Sequence, residues 1–127
     1  GTNSPTQRLD VNGNIKGKQL ATTVQILVDG SNVSWDMNSG STAILTLTDT
    51  GRTINNPSNI MAGTRYSLIV KQDSTGNRTI TGWGTYFKFA GGIKPRITTG
   101  GNVVDYLEFF AESSSILHIT NHISALQ

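Results

Sequence analysis

The sequence contains no cysteine, so neither disulfides nor thiolate metal sites can hold the fold together. Charged residues make up only 14% of it, and ten basic residues are scattered among eight acidic ones. Because no track of basic side chains for phosphates is present, we expect no nucleic-acid partner. A run of roughly eighteen apolar residues is also missing, so we expect no membrane insertion. The first residues, "GTNSPTQRLD", lack the features of a signal peptide, and we expect a piece of a longer chain.

Helical periodicity is missing as well, because no window shows apolar residues spaced three and four apart. Glycine, threonine, serine and asparagine dominate instead, which favours turns and strands. From residue 24 onward, strand signals return about every eight to twelve residues, the spacing of a β-sandwich. The sequence therefore predicts an all-β chain: a strand arm over residues 1–23, then an antiparallel, jelly-roll-like β-sandwich over residues 24–127.

The arm holds few apolar side chains, namely Leu9, Val11, Ile15 and Leu20, with a hairpin turn signal at residues 12–13. A two-stranded hairpin with so little to bury is marginal in water. Either the arm docks on the domain behind it, or the arms of several copies wrap together.

Alternation of apolar and polar residues predicts the strands of the domain. After a strand at residues 43–48, "DTG" turns the chain so that residues 52–55 pair back, and "DSTGN" at residues 73–77 forms a second hairpin. A tight "SSS" turn joins the last two strands. The predicted strands cover residues 24–28, a segment around Trp35, and residues 43–48, 52–55, 66–72, 78–81, 86–89, 103–112 and 115–120.

The strand at residues 103–112 is apolar on both faces. Apolar side chains on one face are Val103, Leu107, Phe109 and Ala111, and on the other Val104, Tyr106 and Phe110. In a two-layer domain of this size one face of the strand should be wet. We expect Val104, Tyr106 and Phe110 to form a subunit interface, and the alternative is a loop that covers them.

Two segments resemble known proteins. "SPTQRLDVNGNIKGKQL" resembles the SPxxKLDVNGNI-type shaft segment of phage tail fibres and other virion appendages. Residues 33–120 resemble a β-domain of virion structural proteins, in the "TLT" strand, the "RTINNP" turn, "GTRYSLIVKQDSTGNRTI", "WGTYFKF" with "GGIKP", and "VDYLEF". This chain departs from the pattern at Phe87, which separates Tyr86 from Lys88, and at Ala90, where proline is common.

The resemblance implies a homotrimeric, all-β fibre tip or collar on a virion, with intertwined arms and neighbouring fibre or tail segments as partners. The function it implies is attachment to the host surface, by a glycan or another receptor. The alternatives are a purely structural collar or decoration domain without a ligand, and a monomeric carbohydrate-binding module.

The glycine-rich loop supplies the candidate ligand-binding residues Trp83, Tyr86, Lys88, Lys94 and Arg96. An aromatic face covers the C–H face of a pyranose, while polar side chains bond its hydroxyls. The alternatives are that Trp83 is a core or loop-anchoring residue and that the basic side chains only keep the loop solvated.

No catalytic or metal constellation emerges. His118 and His122 lie about 13 Å apart on a strand, too far for one ion, although copies of one histidine could converge on a threefold axis. Asp105 and Glu108 point to opposite faces, and Glu108 and Glu112 lie about 13 Å apart, which does not suit a glycosidase. We expect no enzyme, no metal and no cofactor.

Overall fold

Residues 8–127, which the computed structural model describes, form nine β-strands and two short 3-10 helices. The first seven residues of the predicted arm lie outside the described residues. The chain is mostly strand with almost no helix, which confirms the all-β prediction. The strands are β1 (Val24–Ile26), β2 (Asn32–Val33), β3 (Thr42–Leu47), β4 (Arg52–Ile54), β5 (Arg65–Gln72), β6 (Ile80–Trp83), β7 (Phe87–Lys88), β8 (Val104–Ser113) and β9 (Ile116–Leu126); the 3-10 helices are Met37–Ser39 and Ala90–Gly92.

The strands form two sheets, one in the order β1-β3-β5-β8-β9-β7 and the other in the order β2-β4-β6. From β1 to β6 the chain alternates between the sheets, and each strand pairs in parallel with the strand two before it. These six strands therefore make three turns of a coil, in which a strand of one sheet carries the crossover between parallel strands of the other.

The predicted antiparallel pairing is wrong for the strands before β8. β3 and β4 do not pair with each other, nor do β5 and β6, because each turn passes the chain to the opposite sheet. Among the described strands, antiparallel pairs occur only where β8 meets β5 and β9, and β7 is parallel to β9. The predicted antiparallel, jelly-roll-like topology is thus replaced by a parallel coil that ends in a hairpin.

The turn after β5 shows why the chain changes sheet instead of folding back. Gly76 has φ +71°, and a Cβ there would lie 2.6 Å from the carbonyl oxygen of Thr99. The Asp73 carboxylate accepts a hydrogen bond from the Gly76 amide and pairs with the Arg78 guanidinium at 2.9 Å. The hydrogen bond from Arg78 holds the pKa of Asp73 below its usual value, against an opposing effect of burial. The turn therefore packs against the segment that leads into β8.

Side chains from both sheets meet in one buried cluster. Phe109 of β8 lies at its centre, with ring centroids 6.5 Å from Trp35, 6.1 Å from Trp83 and 5.2 Å from Phe87. Trp35 also meets the edge of Tyr66 at 6.4 Å. Edge-to-face contacts of this kind add to the hydrophobic effect and fix ring positions.

The C-terminal hairpin agrees with the sequence prediction. β8 and β9 pair antiparallel, and a turn at residues 114–115 joins them. The first apolar face of β8 points into the core: its residues Val103, Leu107, Phe109 and Ala111 are all buried. The register shifts between Glu108 and Phe109, where Thr120 of β9 is an extra residue.

The arm does not form the predicted strand pair within residues 8–23, where no strand is present. Leu9 and Ile15 are 73% and 71% exposed, and Leu20 is 88% exposed. The turn signal at residues 12–13 is a bend without a paired strand. Among residues 8–23, the side chains of Leu9, Ile15 and Leu20 are therefore not packed on the domain.

Candidate interaction surface

The side of the six-stranded sheet that faces away from the core, here called the outer face, carries a line of apolar side chains. Strand register places Ile26 next to Ile44, Ile44 next to Ile69, Ile69 next to Tyr106, and Tyr106 next to Ile123. We call these five residues the outer row. Neighbours of this kind across strands lie about 5 Å apart, so the row is one continuous apolar strip.

Strongly exposed apolar side chains are concentrated on the arm, on residues 24–28 and on β9. Among the described residues, eleven large apolar side chains are strongly exposed, and nine of them belong to the arm, to residues 24–28 or to β9. Scattered exposed apolar residues are ordinary, whereas a contiguous patch marks an interaction site. The nine are Leu9, Val11, Ile15, Leu20, Val24, Ile26, Val28, Ile123 and Leu126.

The three residues predicted to form a subunit interface lie on the outer face. Val104, Tyr106 and Phe110 are each only half-buried. The Tyr106 hydroxyl lies 2.8 Å from the Ser67 hydroxyl, and the Arg65 guanidinium lies 5.4 Å from the centre of the Phe110 ring. β8 therefore carries apolar side chains on both faces, and its second face is not buried within the described chain.

The structure corrects the prediction that Trp83 is a platform for a sugar. Trp83 is only 9% exposed, and its ring lies 5.1 Å from Phe87 and 5.3 Å from Phe89. Its indole N–H is buried without a hydrogen-bond acceptor in residues 8–127. The alternative reading, a core and loop-anchoring residue, describes its position, because neighbouring rings cover the faces that a pyranose would need.

The other four candidate ligand-binding residues lie in the connection between β6 and β8. Tyr86 is half-buried against the core, and Lys88 donates a hydrogen bond to the Thr85 carbonyl at 2.7 Å. Lys94 and Arg96 are exposed in the extended segment after the second 3-10 helix. They place positive charge at the surface, without the aromatic platform that the sequence suggested.

A buried carboxylate, which the sequence analysis treated only as a failed catalytic candidate, fastens the C-terminal hairpin. Asp105 is 1% exposed and points into the core side of β8. Its carboxylate accepts hydrogen bonds from the Thr98 and Ala125 amides and lies 2.9 Å from Nε2 of His122. Burial alone would raise the pKa of Asp105, but the bonds from His122 and the two amides lower it. The sequence did contain a signal for this role: Asp105 shares a strand face with the apolar residues Val103 and Leu107. An acid on such a face is expected to be buried, and a buried charge needs hydrogen-bonding partners.

The histidines do not converge. His118 pairs across the strands with Phe110 on the outer face and lies 3.3 Å from Glu112, whereas His122 pairs with Leu107 on the core side. The extra residue Thr120 separates them onto opposite faces. Within the described part of the chain, no group of three His, Cys, Asp or Glu residues could hold a metal ion.

A groove of about 540 Å³ lies at the first turn of the coil, along β1 and the segment that follows it. Three of its polar side chains, those of Gln25, Asp29 and Asp36, are already engaged. Asp29 accepts two bonds from the Arg52 guanidinium, at 3.0 and 2.8 Å. Gln25 donates to the carbonyls of Asp36 and Gly40. Because these side chains hold neighbouring turns together, the groove offers a ligand few free hydrogen-bonding groups.

No helix within residues 8–127 is both long and apolar enough to cross a membrane. Comparison with known protein families, with curated proteins and with solved structures finds no match. The function is therefore argued from the geometry above and from the sequence motifs.

Proposed function

We propose that this chain is a β-domain of a virion appendage of the phage tail-fibre kind, which assembles as a homotrimer and attaches the virion to the host surface. One observation carries the proposal: the exposed apolar side chains are concentrated on the arm and the outer face. The shaft-like segment and the β-domain motifs of the sequence supply the virion context.

The energetics favour association. Fully burying a Val, Leu or Ile side chain is worth roughly 1.5–3 kcal/mol, and nine such side chains are strongly exposed on the arm, residues 24–28 and β9. A standard interface buries about 800 Å² on each partner. The outer row crosses five strands that lie about 4.8 Å apart, so its length suits an interface of that size.

Threefold assembly would also serve attachment. Linked copies convert the second and third receptor contacts into intramolecular events, so that sites of only ~mM affinity hold a virion firmly. The trimer number comes from the tail-fibre resemblance, and its physical counterpart is a surface that a single copy leaves exposed.

Molar mass in solution tests the assembly. We expect light scattering after size-exclusion chromatography to give three times 13.6 kDa for the full chain at micromolar concentration. Ile26→Asp should lower the mass toward 13.6 kDa, because a charge in the outer row cannot be buried cheaply. The matched control is Ile93→Asp, since Ile93 is 78% exposed but lies outside the outer face. A wild-type mass of 13.6 kDa would refute the proposal.

A glycan array tests attachment. We expect the assembled wild-type protein to retain a host-surface glycan through Tyr86, Lys88, Lys94 and Arg96. The double variant Lys94→Ala/Arg96→Ala should weaken retention about tenfold or more, since two exposed hydrogen-bonding side chains are lost. Its mass should stay unchanged, which separates binding from assembly.

The purely structural collar is the second candidate, and the burial of Trp83 favours it. A saccharide site usually presents an aromatic face, and the Trp83 ring is covered by its neighbours. An assembled protein that retains no glycan on the array would support the collar and exclude glycan attachment.

A further inference from the structure

We propose that residues 8–20 of the arm add as a strand to the free edge of β9 in a second copy of this chain. The inference rests on the proposed self-association and names the contact that produces it. It brings together a segment with strand periodicity but no partner strand and a long strand edge with no neighbour.

The arm has the alternation of a half-buried strand. Leu9, Val11 and Ile15 occupy odd positions, the other odd positions from 9 to 17 are glycine, and every even position from 8 to 18 is polar or charged. In a strand, Leu9, Val11 and Ile15 would share one face, and Leu20 would lie on the other. Within residues 8–23 no strand forms, and Leu9 and Ile15 stay largely exposed. The pattern therefore lacks a sheet within its own copy.

β9 has a strand edge that lacks a partner strand. It pairs with β8 along its length, but on its other side β7 covers only Leu117 and His118. From residue 119 to residue 126, no described strand lies against that edge. This edge of eight residues is interrupted by register shifts at Thr120 and between Ile123 and Leu126, and its unpaired backbone groups can still accept a short strand of another chain.

The strand register shows which backbone groups are free. The Ala111 amide donates to Thr64, on the β5 side, so the alternate residues of β8, including Tyr106, turn their peptide groups toward β9. Ile123 pairs with Tyr106 and therefore faces β8. The next two residues, Ser124 and Ala125, pair with no β8 residue, because the register shifts between Ile123 and Leu126, and the Ser124 side chain is exposed.

Charge complementarity favours the arm as the occupant. The arm carries Arg8, Lys16 and Lys18 against one acid, Asp10. Residues 97–127, which contain β8 and β9, hold no lysine or arginine, and two of their three carboxylates, Glu108 and Glu112, reach the surface, whereas Asp105 is buried. A basic strand would therefore approach an acidic hairpin. The exposed Ile123 and Leu126, 44% and 41% accessible, lie where the arm's apolar side chains would pack.

Position in the sheet favours a second copy over the same copy. The arm leaves the body at β1, on one edge, and β9 lies four strand spacings away, about 19 Å across the outer face. The Ser41 hydroxyl bonds to Thr22 at 2.8 Å, which ties the base of the arm beside β1. Because donor and acceptor are different surfaces, the contact is heterologous, and such contacts form a ring where the rotation between copies closes. The proposed trimer corresponds to a threefold ring.

The test is Ser124→Pro in the full chain, with Ser124→Ala as its control. Proline removes the amide hydrogen at the free edge and leaves the β8 ladder intact. We expect Ser124→Pro to reduce the molar mass from three times 13.6 kDa to 13.6 kDa with an unchanged circular dichroism spectrum, while Ser124→Ala keeps the larger mass. If Ser124→Pro stays trimeric, edge addition is refuted and the proposed assembly stands. If the wild type is monomeric, both fail.

Disulfide trapping decides the matter should Ser124→Pro not fold. The chain has no cysteine, so Val11→Cys or Ile15→Cys, each mixed with Ile123→Cys, introduces only the two thiols of interest. All three positions are exposed, and the variants should fold. Under mild oxidation we expect mass spectrometry to find a mixed disulfide between an arm and residue 123 of another chain, on the face where the apolar side chains would pack. Absence of that disulfide from both mixtures would overturn the proposal.

Discussion

Phe109→Ala is expected to lower the free energy of unfolding by about 3–5 kcal/mol, the usual cost of removing a fully buried aromatic ring. Phe109 is 0% exposed and contacts Trp35, Trp83 and Phe87. Trp83 belongs to the three-stranded sheet and Phe87 to the six-stranded one, so the cavity left by alanine would open where both sheets meet. Urea unfolding followed by tryptophan fluorescence measures the loss.

Phe110→Ala is the matched control, because the same side chain is removed one residue further along β8. Phe110 points to the outer face, where its described ring contact is the Arg65 guanidinium at 5.4 Å. Loss of an exposed cation–π contact is worth about 1 kcal/mol or less. Both variants should be made in the Ile26→Asp background, so that association adds nothing to stability. Equal losses would mean that the outer face is as buried as the core.

Asp105→Asn is the second large effect, expected to cost about 3 kcal/mol at pH 7. The Asp105 carboxylate accepts hydrogen bonds from the Thr98 and Ala125 amides, and an asparagine would turn its own N–H₂ donor toward one of these donors or toward His122. Hydrogen bonds to a buried charged acceptor are worth about 1.5–3 kcal/mol, and asparagine keeps part of the hydrogen bonding. The measurement is again urea unfolding in the Ile26→Asp background.

The stabilisation by Asp105 should also depend on pH in a defined direction. Hydrogen bonds from His122 and the two amides outweigh burial and lower the pKa of Asp105 in the folded protein. Its stabilisation is therefore complete above the unfolded pKa, about 3.9, and is lost as pH falls through the lower folded value. The difference in free energy of unfolding between wild type and Asp105→Asn should be constant above about pH 5 and shrink below about pH 4.

Asp49→Asn is the control for Asp105→Asn. Asp49 is exposed and accepts a hydrogen bond from the Thr50 amide, so its substitution should lower the free energy of unfolding by about 0.5 kcal/mol or less. Equal losses for the two variants would contradict the prediction.

Strand positions could be predicted from the sequence because alternation reports burial residue by residue. Leu45 and Leu47 on β3, and Tyr66, Leu68 and Val70 on β5, all point into the core as their spacing indicates. Alternation does not report which strand lies beside which, or in what direction. "DTG" and "DSTGN" are equally compatible with a hairpin and with a passage to another sheet, since both need a sharp turn. The distinction depends on packing far along the chain.

The coil could not be recognised in the sequence, because its turns differ in length. Val24 lies beside Thr42, 18 residues later, and Thr42 lies beside Ser67, 25 residues later. In the other sheet, Val33 lies beside Ile54 and Ile54 beside Trp83, at intervals of 21 and 29. A repeat is recognised by a constant period, and no constant period exists here.

The features of the candidate sites also differ in whether the sequence could predict them. The second apolar face of β8 was predictable, because three apolar residues lie on the strand face that would otherwise be exposed to water. The position of Trp83 was not, since an aromatic residue between glycines fits both a binding loop and a core anchor. The opposite orientations of His118 and His122 depend on one bulged residue, Thr120, which no spacing rule reveals.

The unequal coil turns also bear on how such a surface evolves. Three strands of the large sheet keep their register although the segments between them differ by seven residues. Insertions and deletions can therefore accumulate in the corners without disturbing the strands, as surface loops generally allow. Under the proposed attachment function, a lineage that must recognise new hosts would diversify corner length and composition first, and the outer row would change last.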